Sequence, residues 1–82
     1  MGTKDLREAF NAAAAGAFTA SIATLGYEQA HDVEWQRLRF SGTAADGTPF
    51  STQSDLLRAG TNVMQAARDV ALALIAKGKP PT

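Results

Sequence analysis

The chain contains no cysteine, a single histidine, one tryptophan, one tyrosine and no net charge, with eight Lys and Arg balancing eight Asp and Glu over 82 residues. Without cysteine there is no disulfide framework, no thiolate nucleophile and no thiolate metal site. Charge balance argues against a protein that holds nucleic acid by bulk electrostatics, because neutralising phosphates takes an excess of Lys and Arg. A local basic patch stays compatible with it. Long apolar runs are also missing. Val70 to Ala76 is the longest stretch and falls far short of a bilayer span, while Asp5, Arg7, Glu8 and Asn11 interrupt any secretory leader in the Ala-rich start. The expectation is a cytoplasmic protein.

Large apolar residues are scarce too. Of the 37 hydrophobic residues, 17 are Ala, which favours helix but buries little area. The core must come from a short roster: Leu6, Phe10, Phe18, Ile22, Leu25, Leu38, Phe40, Phe50, Leu56, Leu57, Val63, Met64, Val70, Leu74 and Ile75. A chain of this size buries a small fraction of its surface, so self-association as a homodimer is expected to help stabilise it.

The strongest periodic signal lies near the C-terminus. Leu56, Leu57, Gly60, Val63, Met64, Ala67, Val70, Ala71, Leu74 and Ile75 share one helical face. This predicts a helix over 55–77 with Ser54 as N-cap, followed by a flexible tail at 78–82. The alternative is a break at Gly60 and a new start capped by Thr61 or Asn62. Upstream, Val33 to Thr43 and Pro49 to Ser54 are rich in strand formers. A three-residue loop Ala45-Asp46-Gly47, with Gly47 left-handed, pairs Ala44 with Thr48 and sets Leu38, Phe40 and Phe50 on one face. A two-residue turn would put Phe50 on the wrong side.

At the N-terminus, Leu6, Phe10, Ala13, Ala14 and Ala17 define a helical face, with Asp5 and Glu8 as a capping box or Thr3 as cap. Phe18, Ile22 and Leu25 continue the helical spacing, which predicts one helix over 4–25. The alternative ends the helix at Gly16 and makes 18–24 a strand. The predicted architecture is α+β: an antiparallel hairpin, or three strands, packed against two helices in one domain. Its order is α-β-β-α, or α-β-β-β-α if 18–24 is a strand. The second order resembles that of the double-stranded RNA-binding fold. Where that fold carries a lysine-rich start to its last helix, this chain reads Gln53-Ser54-Asp55-Leu56-Leu57-Arg58-Ala59-Gly60, so element order alone is shared and RNA binding does not follow from it.

Three features bear on function. With Leu38 and Phe40 facing the core, alternation brings Trp35, Arg37 and Arg39 together on the opposite strand face. An aromatic ring beside two guanidiniums suits an acidic protein patch, or bases and phosphates. In the bland alternative, Trp35 packs under a helix end and the arginines pair with Asp32, Glu34 or Asp55. Next, Glu28, His31, Asp32 and Glu34 form the titratable cluster, read as a solvated acidic loop because its spacing fits no metal motif and no nucleophile accompanies it. Last, Leu72 stands on the polar side of the C-terminal helix near Ala76, a seam for self-association. No cofactor or metal is expected, and no catalytic residue. The functional expectation is a small non-catalytic protein-binding module, of the kind found among prophage accessory and inhibitor proteins, acting through a strand face or sheet edge. The alternative is a nucleic-acid-binding module using the Trp35/Arg37/Arg39 face.

Overall fold

The computed structural model describes residues 3–78. Its elements are α1 (Thr3–Ala14), β1 (Phe18–Ala30), β2 (Val33–Ala44), β3 (Pro49–Gln53), β4 (Leu57–Arg58) and α2 (Val63–Gly78). All strand pairings are antiparallel, in the order β1-β2-β3, with β4 beside β2 beyond the end of β3. The α+β class is as expected, and of the two orders the one with a strand at 18–24 holds. The expected tail at 78–82 lies outside the described residues, apart from Gly78, which ends α2.

Two expected long helices are thus corrected, for related reasons. The first helix stops where Ala15 and Gly16 take left-handed φ values of 51° and 87°. Gly16 accepts that conformation without a Cβ penalty, and the chain reverses into β1. The second correction falls at Gly60, with φ of 92°. Residues 57–58 pair with β2 rather than extending α2, and Thr61 N–H donates to Arg58 O to close a turn. α2 starts afresh: Asn62 Oδ1 accepts from the N–H groups of Met64 and Gln65 at 3.1 and 3.2 Å, which makes Asn62 its N-cap. Ser54, expected to be that cap, instead accepts from Leu38 N–H (3.0 Å) and donates to Asp55 O (2.8 Å), which fixes the corner after β3.

The β2–β3 turn follows the three-residue loop. Ala44 N–H donates to Thr48 O at 2.8 Å, Gly47 N–H donates to Ala44 O at 2.9 Å, and Gly47 is left-handed at 88°. In consequence Phe50 lies opposite Gly42 on the core side. Phe10 from α1 stacks on Phe40 (ring centroids 4.5 Å apart) and on Phe50 (5.8 Å), while Phe18 meets Phe50 edge-on.

Leu6, Phe10, Leu38 and Phe40 are the large, fully buried side chains. Ala9, Ala14, Ala66, Ala67 and Ala71 are buried beside them, where small side chains let α1 and α2 approach closely. Alanine therefore does more for the core than its area suggests. Ile22 (57% exposed) and Leu56 (38%) are not core residues. Ile22 is displaced by a β-bulge that shifts the β1–β2 register between Ala20 and Ile22. Leu56 lies in the segment between β3 and β4.

The region expected to be an acidic loop is the far end of a long hairpin. Ala30 pairs with Val33, and His31 and Asp32 form the two-residue turn with φ of 53° and 62°. Positive φ at both central residues is the type I′ signature. The molecule is elongated, 45 × 26 × 18 Å.

Candidate functional site: the outer face of the sheet

Alternation along β2 buries Gln36, Leu38 and Phe40 and turns Trp35, Arg37 and Arg39 to the opposite face. The structure therefore brings these three together as expected. Cross-strand pairing sets their neighbours on that same face. Glu28 lies opposite Trp35, Gly26 opposite Arg37, and Thr24 opposite Arg39 from β1, with Gln53 opposite Arg39 from β3.

A third guanidinium joins them. Arg58, which falls within the helix expected over 55–77, stands in β4 directly opposite Trp35 and is exposed. Its strand is anchored by Ala59 N–H donating to Glu34 O at 3.0 Å and by Gln36 Nε2 donating to Arg58 O at 3.4 Å. The sequence signal for this placement is Gly60 followed by the capping residue Asn62, which together start α2 at Val63, about two turns later than the periodicity implies.

Trp35 and Arg37 are half-buried and Arg39 is exposed. Arg37 Nε is enclosed by protein yet has no hydrogen-bond partner among the described residues. Its stem therefore lies along the sheet, as long charged side chains do over apolar surface. Among the described residues, Arg7 and Arg68 donate side-chain hydrogen bonds, to Ser21 O and Gln65 Oε1, whereas no carboxylate takes one from Arg37 or Arg39. The pairing with Asp32, Glu34 or Asp55 considered from sequence is not formed. Glu34 cannot reach by parity, because it shares the strand side of Gln36 and Leu38. Beside the arginines lies an open depression of about 210 Å³ lined by Thr24, Leu25, Gly26, Tyr27, Glu28, Arg37 and Arg39.

The other candidates separate. Glu28 is on the outer face and Glu34 on the inner, with His31 and Asp32 in the turn, so the four do not converge. No group of three or more His, Asp or Glu with metal-holding geometry occurs among the described residues. Leu72 is 55% exposed on α2, and Ala76 is exposed one turn further on. A larger cleft of about 360 Å³ runs between α2 and the β3–β4 corner, lined by Leu57, Val70, Ala73 and Leu74 with Asp55, Asp69 and Lys77 at its polar edge. No described helix is long and apolar enough to cross a membrane.

Compared with protein-family models, with curated proteins and with solved structures, the chain matches none. Its class is a small α+β domain with both helices on one face of an antiparallel sheet, and the functional reading rests on the geometry of the other face.

Proposed function

We propose that the protein is a non-catalytic binding module that recognises an acidic protein surface through the outer sheet face, with Trp35, Arg37 and Arg39 as contacts and Arg58 at the margin. The observation that carries this reading is the set of guanidiniums around Trp35, none of which donates to a protein acceptor among the described residues. The Arg37 Nε donor is enclosed by the protein itself, so a partner's carboxylate meets the terminal Nη groups of these arginines instead, in charge-assisted hydrogen bonds that contribute about 1.5–3 kcal/mol each. Arginine forks also grip carboxylates bidentately, and a Trp edge supplies area at low conformational cost. The small accessory and inhibitor proteins of prophages, cytoplasmic and near neutral, are the setting its size and composition suit.

A protein partner is favoured over nucleic acid because Glu28 lies on the same face directly opposite Trp35 and interrupts the positive charge, which a protein surface that sets its acidic groups beside the arginines alone can match and a uniform row of phosphates cannot. Trp35 is also the one aromatic residue of that face of β2, so it offers no series of stacking positions. Trp35 is the sole tryptophan of the chain, so its fluorescence reports on this face alone. Titration with a Glu/Asp-rich peptide is expected to shift its emission. In the Arg37→Ala/Arg39→Ala variant the affinity is expected to fall at least about tenfold, since charged hydrogen bonds contribute about 1.5–3 kcal/mol each. A response to single-stranded oligonucleotide instead, weakening steeply between about 50 and 200 mM salt, would replace this reading with nucleic-acid binding.

A further inference from the structure

The sheet has two edges, and they are protected unequally. β3 is five residues long and starts with Pro49, a short edge that lacks one N–H. β1 runs for thirteen residues, Phe18–Ala30. Its first part is covered: Ala20 N–H donates to Asn11 Oδ1 (2.7 Å), Asn11 Nδ2 donates to Ala20 O (3.2 Å), and Arg7 donates to Ser21 O (3.3 Å). The Asn11 amide thus occupies the place of a neighbouring strand at Ala20, and the bulge beside it twists the edge away. Past Ile22 that protection ends.

The phase of the backbone follows from the hydrogen bonds of β2. Leu38 O and Glu34 O accept from Ser54 and Ala59 on the β3–β4 side, and Ala44 N–H donates to Thr48 O on the same side. Even-numbered residues of β2 therefore face away from β1, and odd-numbered ones bond to it. Arg39, Arg37 and Trp35 pair with Thr24, Gly26 and Glu28, so the N–H and C=O groups of Ala23, Leu25, Tyr27 and Gln29 point outward from the sheet. This open stretch is centred on Gly26. It is closed at one end by the Asn11 cap and at the other by the His31-Asp32 turn.

We infer that β1 pairs antiparallel with β1 of a second copy about a two-fold axis through Gly26. In that register Ala23 lies opposite Gln29 and Leu25 opposite Tyr27, so every outward group of the stretch is satisfied. The next residues fall where the second copy turns away at its hairpin, so the pairing ends without a clash of registers. Tyr27, 61% exposed, and the half-buried Leu25 meet twice on the inner face. On the outer face Glu28 lies beside Thr24 of the second copy, whose own β2 neighbour is Arg39, which brings opposite charges near each other. Gly26 lies opposite itself, where non-hydrogen-bonded partners approach to about 4.5 Å between Cα atoms. The two outer faces then form one continuous surface, with the Arg37 backbones three strand spacings apart, about 14 Å. A second copy is the occupant that matches this edge, because the open stretch is symmetric about its own midpoint. The inference does not rest on the proposed function.

Edge-to-edge contact of this length is on the order of 1,000 Å², at the low end for specific interfaces, so dissociation is expected at micromolar protein. Sedimentation velocity should show the mass rising from 8.6 kDa toward twice that value between roughly 1 and 300 µM. Tyr27→Pro removes an outward N–H without touching the β1–β2 ladder, so it should stay monomeric with an unchanged circular dichroism spectrum. Gly26→Cys, where an added Cβ meets only Arg37 O at 3.9 Å, should oxidise to a covalent dimer. Thr24→Cys should not, since that pair is offset along the strands. A monomer throughout the range, a dimer that survives Tyr27→Pro, or cross-linking of Thr24→Cys as readily as Gly26→Cys would overturn the inference. Arg37→Ala/Arg39→Ala removes the attraction between Arg39 and Glu28 of the second copy but keeps every backbone bond, so it is expected to dimerise with at most about a fivefold weaker Kd, and loss of peptide binding and loss of dimer are separate results.

Discussion

Replacing a single glycine tests the packing of the β1 bulge against β2. An ideal Cβ on Gly42 would lie 2.0 Å from Thr19 O and 2.9 Å from both Ala20 Cα and Ser21 N. All three are backbone atoms, so no side chain can swing aside. Relief requires β1 to move by about 1 Å or more, and β1 is held there by the two Asn11 bonds to Ala20. Overpacking of this kind costs about 1–3 kcal/mol, and straining or losing hydrogen bonds adds about 0.5–1.5 kcal/mol each. Gly42→Ala is therefore expected to destabilise by roughly 2–5 kcal/mol, a large part of the 5–15 kcal/mol typical of a domain. The assay is urea unfolding, where the midpoint should fall at unchanged slope. Two other glycines act as controls for the same substitution. At Gly26 there is room and no positive φ, so Ala is expected to be neutral or to stabilise by up to about 1 kcal/mol. At Gly47 the space is open but φ is +88°, so the cost is about 1–2 kcal/mol from backbone conformation alone. A Gly42→Ala protein within about 0.5 kcal/mol of the wild type would mean that the β1 backbone is free to move away from Gly42.

Further outcomes are expected elsewhere. Asn11→Ala leaves Ala20 N–H and C=O without their partner and should cost about 1–3 kcal/mol by urea unfolding, with faster amide exchange at Ala20 than at Leu38. Asn62→Ala removes the α2 cap and should cost about 1 kcal/mol, whereas Ser54→Ala should act through the unpaired Leu38 N–H rather than through helix content. His31→Asn with Asp32→Gly suits the type I′ turn better and should raise stability by about 1 kcal/mol; a lower thermal midpoint would contradict the turn assignment. Asp46 accepts from Thr48 N–H at 2.9 Å, and hydrogen bonds from the Thr48 backbone and side chain hold its carboxyl below the usual carboxylate range. With a depressed folded value, the stabilisation is fully present above the ordinary carboxylate pKa and is lost as pH falls through the lowered one. An NMR titration placing Asp46 at or above an unfolded reference would contradict it.

Much of the hairpin was legible because its determinants are local. Asp46-Gly47 names the turn, the length of the loop sets parity, and the positions of Phe40 and Phe50 select the register that buries both. The same parity placed Trp35, Arg37 and Arg39 on one face. Helix ends were less legible. Phe18, Ile22 and Leu25 have helical spacing, as do Leu56, Leu57 and Val63 across Gly60, but spacing does not record whether a distant strand competes for the backbone. β2 does compete, and offers partners to Phe18–Ala30 and to Leu57–Arg58. The stretch 28–34 misled for another reason. Its charged residues look like a loop, yet exposed strand faces at the end of a hairpin carry such residues equally well.

The amino-acid sequence alone fixes the charge balance, which is a matter of composition, and the two-residue alternation of β2 and the chemistry of the turn at Asp46-Gly47, which depend on a few adjacent residues and their dihedral preferences. The tertiary structure decided what depends on pairing across the chain. It placed Arg58 beside Trp35, used alanines as the seam between the helices, and closed one part of the β1 edge with Asn11 while leaving Ala23 to Gln29 open. Those outcomes follow from backbone hydrogen bonds made over long sequence separations, whose formation outweighs the small differences in local propensity that separate a helix from a strand.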